Sequence, residues 1–319
     1  MALTLESAKA LTTDAVQTGV IDEFQKSNWL MQHMQFADAV SPVGGGSTMT
    51  YSYNRVITQP TAGFRKINAE YPAQEVETKR FSVDLAVFGG AFAIDRVLAG
   101  MNGLADQVTL QIQQKIKAAS ALFNDTVING DKGTNDAAFD GLEKSLTGTS
   151  TEVTPASAID LSDSTAIDTN YKAFLDQVDL FLANLDGIPS GLLMNATALA
   201  KFRAVARRSS AYQMTMDQFG RQVESYNGIP LVNLGTKAGT NDPVVPIASD
   251  AGTTSIYAVR LGMDGLHGVT TQGGTQLIRT WLPDFSTSGA VKTGEVEMLA
   301  AIALKATKAA GVLRKIKVK

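Results

Sequence analysis

Residues 48–58 read TMTYSYNRVIT, and residues 76–88 read VETKRFSVDLAVF. In the first run Met49, Tyr51 and Tyr53 alternate with polar residues before Val56 and Ile57. In the second, Phe81, Val83, Leu85 and Val87 fall on one face. A period of two marks a strand with one covered side. Pro60, Gly63 and Pro72 lie between the runs, so the pattern predicts a long β-ribbon with an irregular tip. An isolated ribbon is marginal in water, and its apolar residues need a surface. Either the body of the chain folds under them or another molecule does. At ~3.3 Å per residue such a strand reaches about 36 Å, roughly the width of a small domain, which favours the second.

Working outward, Val20, Ile21, Phe24, Leu30, Met31 and Met34 lie on near-helical spacings beside Trp29. Pro42 and the triplet Gly44-Gly45-Gly46 then stop any helix. An amphipathic arm followed by a break packs on its own body or on a neighbour.

Beyond Gly89-Gly90 the period changes to about 3.6, through Ile94, Val97, Met101, Leu104, Val108, Ile112, Ile116, Ala119, Phe123 and Val127. This predicts one long helix, or two broken near Gly100 and Gly103. A left-handed cap is expected at Asn129-Gly130-Asp131. After a stretch rich in Gly, Ser, Thr and Asp, a second helix is expected from Asn170, closed by Gly187 and Pro189. Residues 191–195 (GLLMN) read as a buried strand, and Asn195 or Thr197 can cap a third helix. Asn227-Gly228 predicts a hairpin. Residues 255–260 form another strand, followed by extended runs at 291–304 and 311–318. The alternating charges of the last run suit an edge strand. The whole is a mixed α+β chain.

Composition limits function. The 319 residues are 44% hydrophobic and 18% charged, with a formal charge of -3. That is enough for a core, and it supplies no basic field for phosphates. The absence of cysteine removes disulfides and thiolate chemistry and fits a protein made in reducing cytoplasm. No secretory signal or membrane span is read.

Catalytic patterns are missing. His33 and His267 lack metal-ligand spacing and read as ordinary surface or core histidines. Glu295 and Glu297 share a strand face, where a solvated face outweighs a cation site. Lys201, Arg203, Arg207 and Arg208 read as a solvent face near a helix C-terminus, with a subunit contact as the competitor. No nucleophile elbow, phosphate loop or dinucleotide fingerprint occurs. No catalytic, cofactor or metal residue is assigned.

The order of elements resembles the Hong Kong 97-type major capsid proteins of tailed bacteriophages over nearly the whole chain. The local patterns are Val20-Ile21-x-x-Phe24 through Phe36, Tyr51-x-Tyr53-x-Arg55, Phe92-Ala93-Ile94-Asp95-Arg96, Leu192-Leu193-Met194-Asn195, Asn227-Gly228-Ile229-Pro230-Leu231, and Tyr257-x-Val259-Arg260-Leu261-Gly262. The resemblance implies an N-terminal arm over residues 1–47 and an extended loop over 48–88. It implies a peripheral domain with a spine helix over 89–140 and 288–319, and an axial domain over 141–287.

The expected function is a major capsid protein assembling into an icosahedral shell around double-stranded DNA, without enzymatic activity or cofactor. Expected partners are copies of itself in pentamers and hexamers, a scaffolding protein, a portal, possible decoration proteins, and packaged DNA held non-specifically, with no membrane. The expected place is the virion, assembled in the bacterial cytoplasm. Relatives often carry a cleaved scaffolding segment before the arm; here it is either removed or replaced by a separate protein. Phe24, Trp29, Tyr51, Tyr53, Arg55, Phe64, Arg65 and Phe81 are the expected subunit-interface residues. Lys66 and Lys79 lie in the ribbon region, yet no glutamate or asparagine matches a cross-linking set. An encapsulin-like bacterial nanocompartment is the alternative, and a hydrolase the remote one.

Overall fold

A computed structural model describes residues 29–39, 47–58, 60–100, 107–209, 213–216, 222–271 and 278–319. The expected amphipathic piece at 20–28, the triple glycine and the Gly103 break lie outside these residues.

The chain enters through helix α1 (Trp29–His33) and strand β1 (Phe36–Asp38). Leu30 and Met34 are buried in the main core, so this part of the arm packs on its own body. Strands β2 (Thr50–Val56) and β3 (Thr78–Asp84) form the expected antiparallel ribbon, pairing Tyr51 with Val83, Tyr53 with Phe81 and Arg55 with Lys79.

The spine begins later than its periodicity suggests. Ala86–Asp95 is strand β4, not helix, and pairs along its whole length with β14 (Val291–Leu304). The glycine pair sits inside this ladder. A short helix α2 (Arg96–Gly100) precedes the spine α3 (Gln107–Asn129). Phe123 of α3 is wholly buried among the rings of Phe36, Phe88 and Phe139, at 6.1–6.2 Å between centroids.

The spine ends where expected, but Gly130 is not left-handed. A Cβ there would lie 2.3 Å from the Phe139 carbonyl oxygen and 2.5 Å from that of Thr126. Close passage of the returning chain, not a positive φ, demands glycine. That passage is fixed by Gly141 N donating to the Gly130 carbonyl at 2.8 Å.

Helix α4 (Leu142–Leu146) and the short strands β5 (Glu152–Val153) and β6 (Ile159–Asp160) lead to α5 (Ser164–Ala183). This helix starts six residues before the expected Asn170, because the Asp163 carboxylate accepts from Ala166 N at 2.8 Å and caps it. Strand β7 (Gly191–Met194) precedes α6 (Ala196–Arg208), capped by Asn195 as expected. Strands β8 (Gln213–Met216), β9 (Gln222–Tyr226) and β10 (Ile229–Asn233) follow. The β9–β10 turn has positive φ at Asn227 and Gly228.

Strands β11 (Thr253–Val259), β12 (Leu266–Thr270), β13 (Ile278–Trp281) and β15 (Ala310–Lys317) complete two sheets. In one, β14 is bonded to β4 along one edge and to β13 and then β12 along the other, with β1 beyond β12. The other has the order β5-β15-β11-β7-β10-β9-β8.

The second sheet is covered on both faces. Leu193, Tyr257, Val259 and Val312 face the spine core, whereas Leu192, Met194, Ile256, Ala258 and Leu313 face α5 and α6. Alternation by two feeds two cores from one sheet.

The last strand corrects an expectation. β15 is not an edge: it pairs with β11 on one side and with β5 and β6 on the other. Its charges are matched by nearby acids, Lys317 by Asp160 of β6 at 2.8 Å and Arg314 by Glu152 of β5 and by Glu143 of the helix Leu142–Leu146. The two final runs also part company. β14 lies with β4 and the spine, and β15 lies with the α5–α6 lobe. Strands β12 and β13, from the stretch expected in the axial unit, join the spine sheet.

Candidate assembly interface

The base of the ribbon docks on its own chain. Tyr53 Oη donates to the Leu304 carbonyl at 2.8 Å. Arg55 Nε donates to the Lys305 carbonyl at 2.8 Å, its Nη1 to Thr307 Oγ1 at 3.0 Å, and its Nη2 to the Leu304 carbonyl. The guanidinium lies 4.4 Å from the Phe81 ring centroid, and Phe81 stacks on Tyr53 at 5.9 Å. Burial raises the Tyr53 hydroxyl pKa, against the lowering effect of Arg55. At the ribbon's root Asp84 pairs with Lys132; hydrogen bonds from Lys132 and then Thr50 lower its carboxyl pKa.

Cover for Tyr51, Tyr53, Phe81 and Val83 therefore comes largely from the chain itself. Tyr51, Tyr53 and Val83 pack against the main core, and Leu85 is fully inside it. This corrects the expectation that a second molecule is needed along the whole ribbon. The carbonyl acceptors at Leu304 and Lys305 are backbone groups, which leave no trace in side-chain pattern.

The tip differs. Ile57 N donates to the Glu77 carbonyl at 2.8 Å and closes the paired section. Beyond it the chain is exposed throughout the described residues to Glu77. Phe64 is wholly exposed, Ile67 is 91% exposed, and Tyr71 and Val76 are exposed as well. Arg65 lies 5.5 Å from the Tyr71 ring centroid, a local contact within the tip. Phe64 and Ile67 have almost no cover from the described residues, and Tyr71 and Val76 are covered only in part.

The other expected interface residues divide accordingly. Phe24 lies outside the described residues. Trp29 is partly buried, stacked on His33 at 4.7 Å and lying against Gly191. His33 Nδ1 donates to the Trp29 carbonyl at 2.9 Å. Phe64 and Arg65 are solvent-facing, whereas Tyr51, Tyr53, Arg55 and Phe81 form the internal clasp.

The basic cluster on α6 is engaged locally. Arg203 pairs with Glu224 at 2.6 Å, Arg208 with Asp168 and Ser164, and Lys201 with the Ser162 carbonyl. Glu295 and Glu297 stand on the exposed face of β14, opposite Trp281 and Arg279 in register. Among the described residues no group of three His, Asp or Glu side chains is placed to hold a metal ion. No helix among them is long and apolar enough to cross a membrane. Sequence reading missed the exposed apolar side chains at the far end of the spine sheet, Val97, Trp281, Leu282 and Val291. They are scattered over three segments that only the fold unites.

No protein-family model and no curated protein matches the sequence. Solved structures do match in three dimensions. An encapsulin from Synechococcus elongatus superposes with a TM-score of 0.68 at 16% identity, covering 100% of this chain and 98% of its own. A structure described as Mycobacterium phage Bobi gives 0.62 at 12% identity, covering 98% and 99%. The capsid of a native GTA particle gives 0.58 at 14% identity, covering 98% and 100%. The chain therefore has the Hong Kong 97-type capsid fold.

Proposed function

We propose that this chain is the major capsid protein of a tailed phage, a non-enzymatic subunit that assembles with copies of itself into an icosahedral shell around double-stranded DNA. One observation carries the reading most directly. The ribbon tip holds Phe64, Ile67 and Tyr71 in water, while Tyr53 and Arg55 fasten the base to the body. Apolar side chains held away from their own core lower the free energy of association when a neighbour covers them. The likeness to capsids supports the same reading.

In this reading residues 1–47 act as the arm and 48–88 as the extended loop. The spine sheet with α3 is the peripheral unit, and the lobe of α5 and α6 closes five-fold and six-fold rings. Phe24, Trp29, Phe64 and Arg65 touch neighbouring subunits. A scaffolding protein and a portal take part in assembly inside the bacterial host. Packaged DNA is contacted only non-specifically, and the near-neutral charge limits how strongly it sticks.

Electron microscopy of the purified protein, alone and with its scaffold, tests the proposal. Closed shells are expected from the full chain and only soluble subunits from a variant lacking residues 59–75. Intact shells from the deletion remove the ribbon from the mechanism.

A second reading rests on the encapsulin superposition: a nanocompartment of the same architecture. Particle contents separate the two. Nuclease-protected DNA supports the capsid, and co-purified enzyme cargo supports the compartment.

A further inference from the structure

His267 is fully buried in β12, and neither ring nitrogen makes a well-formed hydrogen bond among the described residues; the Gly265 carbonyl is only a weak polar neighbour. A buried imidazole without partners is an uncommon state, because each unsatisfied polar group costs about 1–3 kcal/mol. Its position is specific. Gly268, the next residue, lies under the Phe36 ring on the spine side. His267 therefore points to the opposite face of the sheet, where Tyr51 of the ribbon meets it edge-on at 5.7 Å. Tyr51 in turn lies beneath the Lys305 ammonium, 5.6 Å from the ring centroid.

The surrounding charges do not favour an imidazolium. Lys305, at the end of β14, acts on the ring with like charge. On β2, Arg55 is engaged by the Leu304 and Lys305 carbonyls, and burial raises the Tyr53 hydroxyl pKa. On β3, Lys79 lies over Phe81, and Asp84 is paired with Lys132. On β1, Asp38 is exposed. Burial first, and then Lys305, hold the His267 pKa down to about 4, with a smaller opposing effect of the Gly265 carbonyl.

We infer that His267 is an acid-sensitive latch beneath the ribbon: the neutral imidazole accepts the cover of Tyr51, and the protonated ring expels the β2–β3 base from the spine sheet. A cleft of about 350 Å³ already runs between ribbon and body, lined among others by Tyr53, Arg55, Phe81, Phe139 and Thr307. The device works within one chain and does not depend on shell formation.

The sign follows from the lowered pKa. A released ribbon leaves His267 near its ordinary value of about 6.5, so docking is strongest above that pH and weakens as pH falls from there towards 4. At pH 5 the docking equilibrium is expected to be about thirtyfold poorer than at pH 7.5.

Amide hydrogen exchange on the full-length protein, corrected for intrinsic rates, tests this. Protection at 50–56 and 78–84 is expected to fall about thirtyfold between pH 7.5 and 5, while protection in β11 and β15 holds. H267F is expected to keep ribbon protection at pH 5. Parallel loss in wild type and variant, or no loss in wild type, overturns the latch. If H267F does not fold, the wild-type imidazole is titrated directly by NMR. A value near 4 supports the latch, and a value at or above 6.5 ends it.

Discussion

Tyr53 and Leu304 are 251 residues apart in sequence, yet the tyrosine hydroxyl donates to the leucine carbonyl at 2.8 Å. Arg55 converges on the same carbonyl and on the Lys305 carbonyl beside it. Two ribbon side chains thereby fix the finger to the last residues of β14.

Arg55→Ala removes the charged donors and the contact with Phe81. Loss of hydrogen bonds from a charged group costs about 1.5–3 kcal/mol, so ribbon docking should weaken by that order. Hydrogen exchange reads it as faster exchange confined to β2 and β3. Arg55→Lys should not restore protection, since an ammonium cannot reproduce the fork. Full protection in the lysine variant contradicts the geometry.

Asn195 serves two roles in the lobe. Its carbonyl oxygen accepts from Ala198 N at 2.8 Å, and its amide donates to Thr254 Oγ1 at 2.7 Å and to Val245 O at 3.1 Å. Asn195→Ala loses the cap and strands buried partners, an expected loss of about 2–4 kcal/mol. Urea denaturation followed by circular dichroism measures it. A change below about 0.5 kcal/mol, as at ordinary surface sites, would refute the dual role.

Acid should loosen the junction of β6 and β15. The Lys317 hydrogen bond, and then Ser162, hold the Asp160 carboxyl down to about 2. Its folded value lies below the unfolded one, so the stabilisation is present above about pH 4 and is lost as pH falls towards 2. The pair is partly exposed, and solvent screening limits its worth to about 0.5–1 kcal/mol. Asp160→Asn should lower stability at pH 7 by that amount and converge with wild type near pH 2. An unchanged gap across the titration contradicts the pairing.

At the tip, Phe64→Ser and Ile67→Ser should leave the subunit's melting temperature within the error of a surface change, about ±0.5 kcal/mol in stability. Both should slow or abolish shell formation, seen by light scattering and negative-stain microscopy. Normal assembly kinetics in the double variant would show that these exposed side chains are not covered by a neighbour.

Much of the fold is legible where a local period and a local cap agree. The β2–β3 pairing, the Asn195 cap and the Asn227-Gly228 turn are all of this kind. Reading failed where glycine has two meanings. Gly89-Gly90 reads as the point where strand gives way to helix, but the strand runs on to Asp95 and Gly89 lets the Val296 carbonyl approach within the β4–β14 ladder. The start of α5 was concealed in a run of Asp, Ser and Thr whose Asp163 is itself the cap.

Strand β12 escaped because histidine, glycine and threonine interrupt it and its burial comes from long-range neighbours; β13 escaped because it is short and largely exposed. At the interface, sequence singled out the aromatic ribbon residues but not which of them the chain would use internally. That division depends on where residues 304–307 pass, which no local pattern states.

The clasp grips the connection at 304–307, and that connection is also where the chain leaves the spine sheet to become β15 of the lobe. The finger is thus anchored at a fulcrum shared by both halves of the molecule. A tug on its outer end is delivered first to this pivot, and the two halves receive it together.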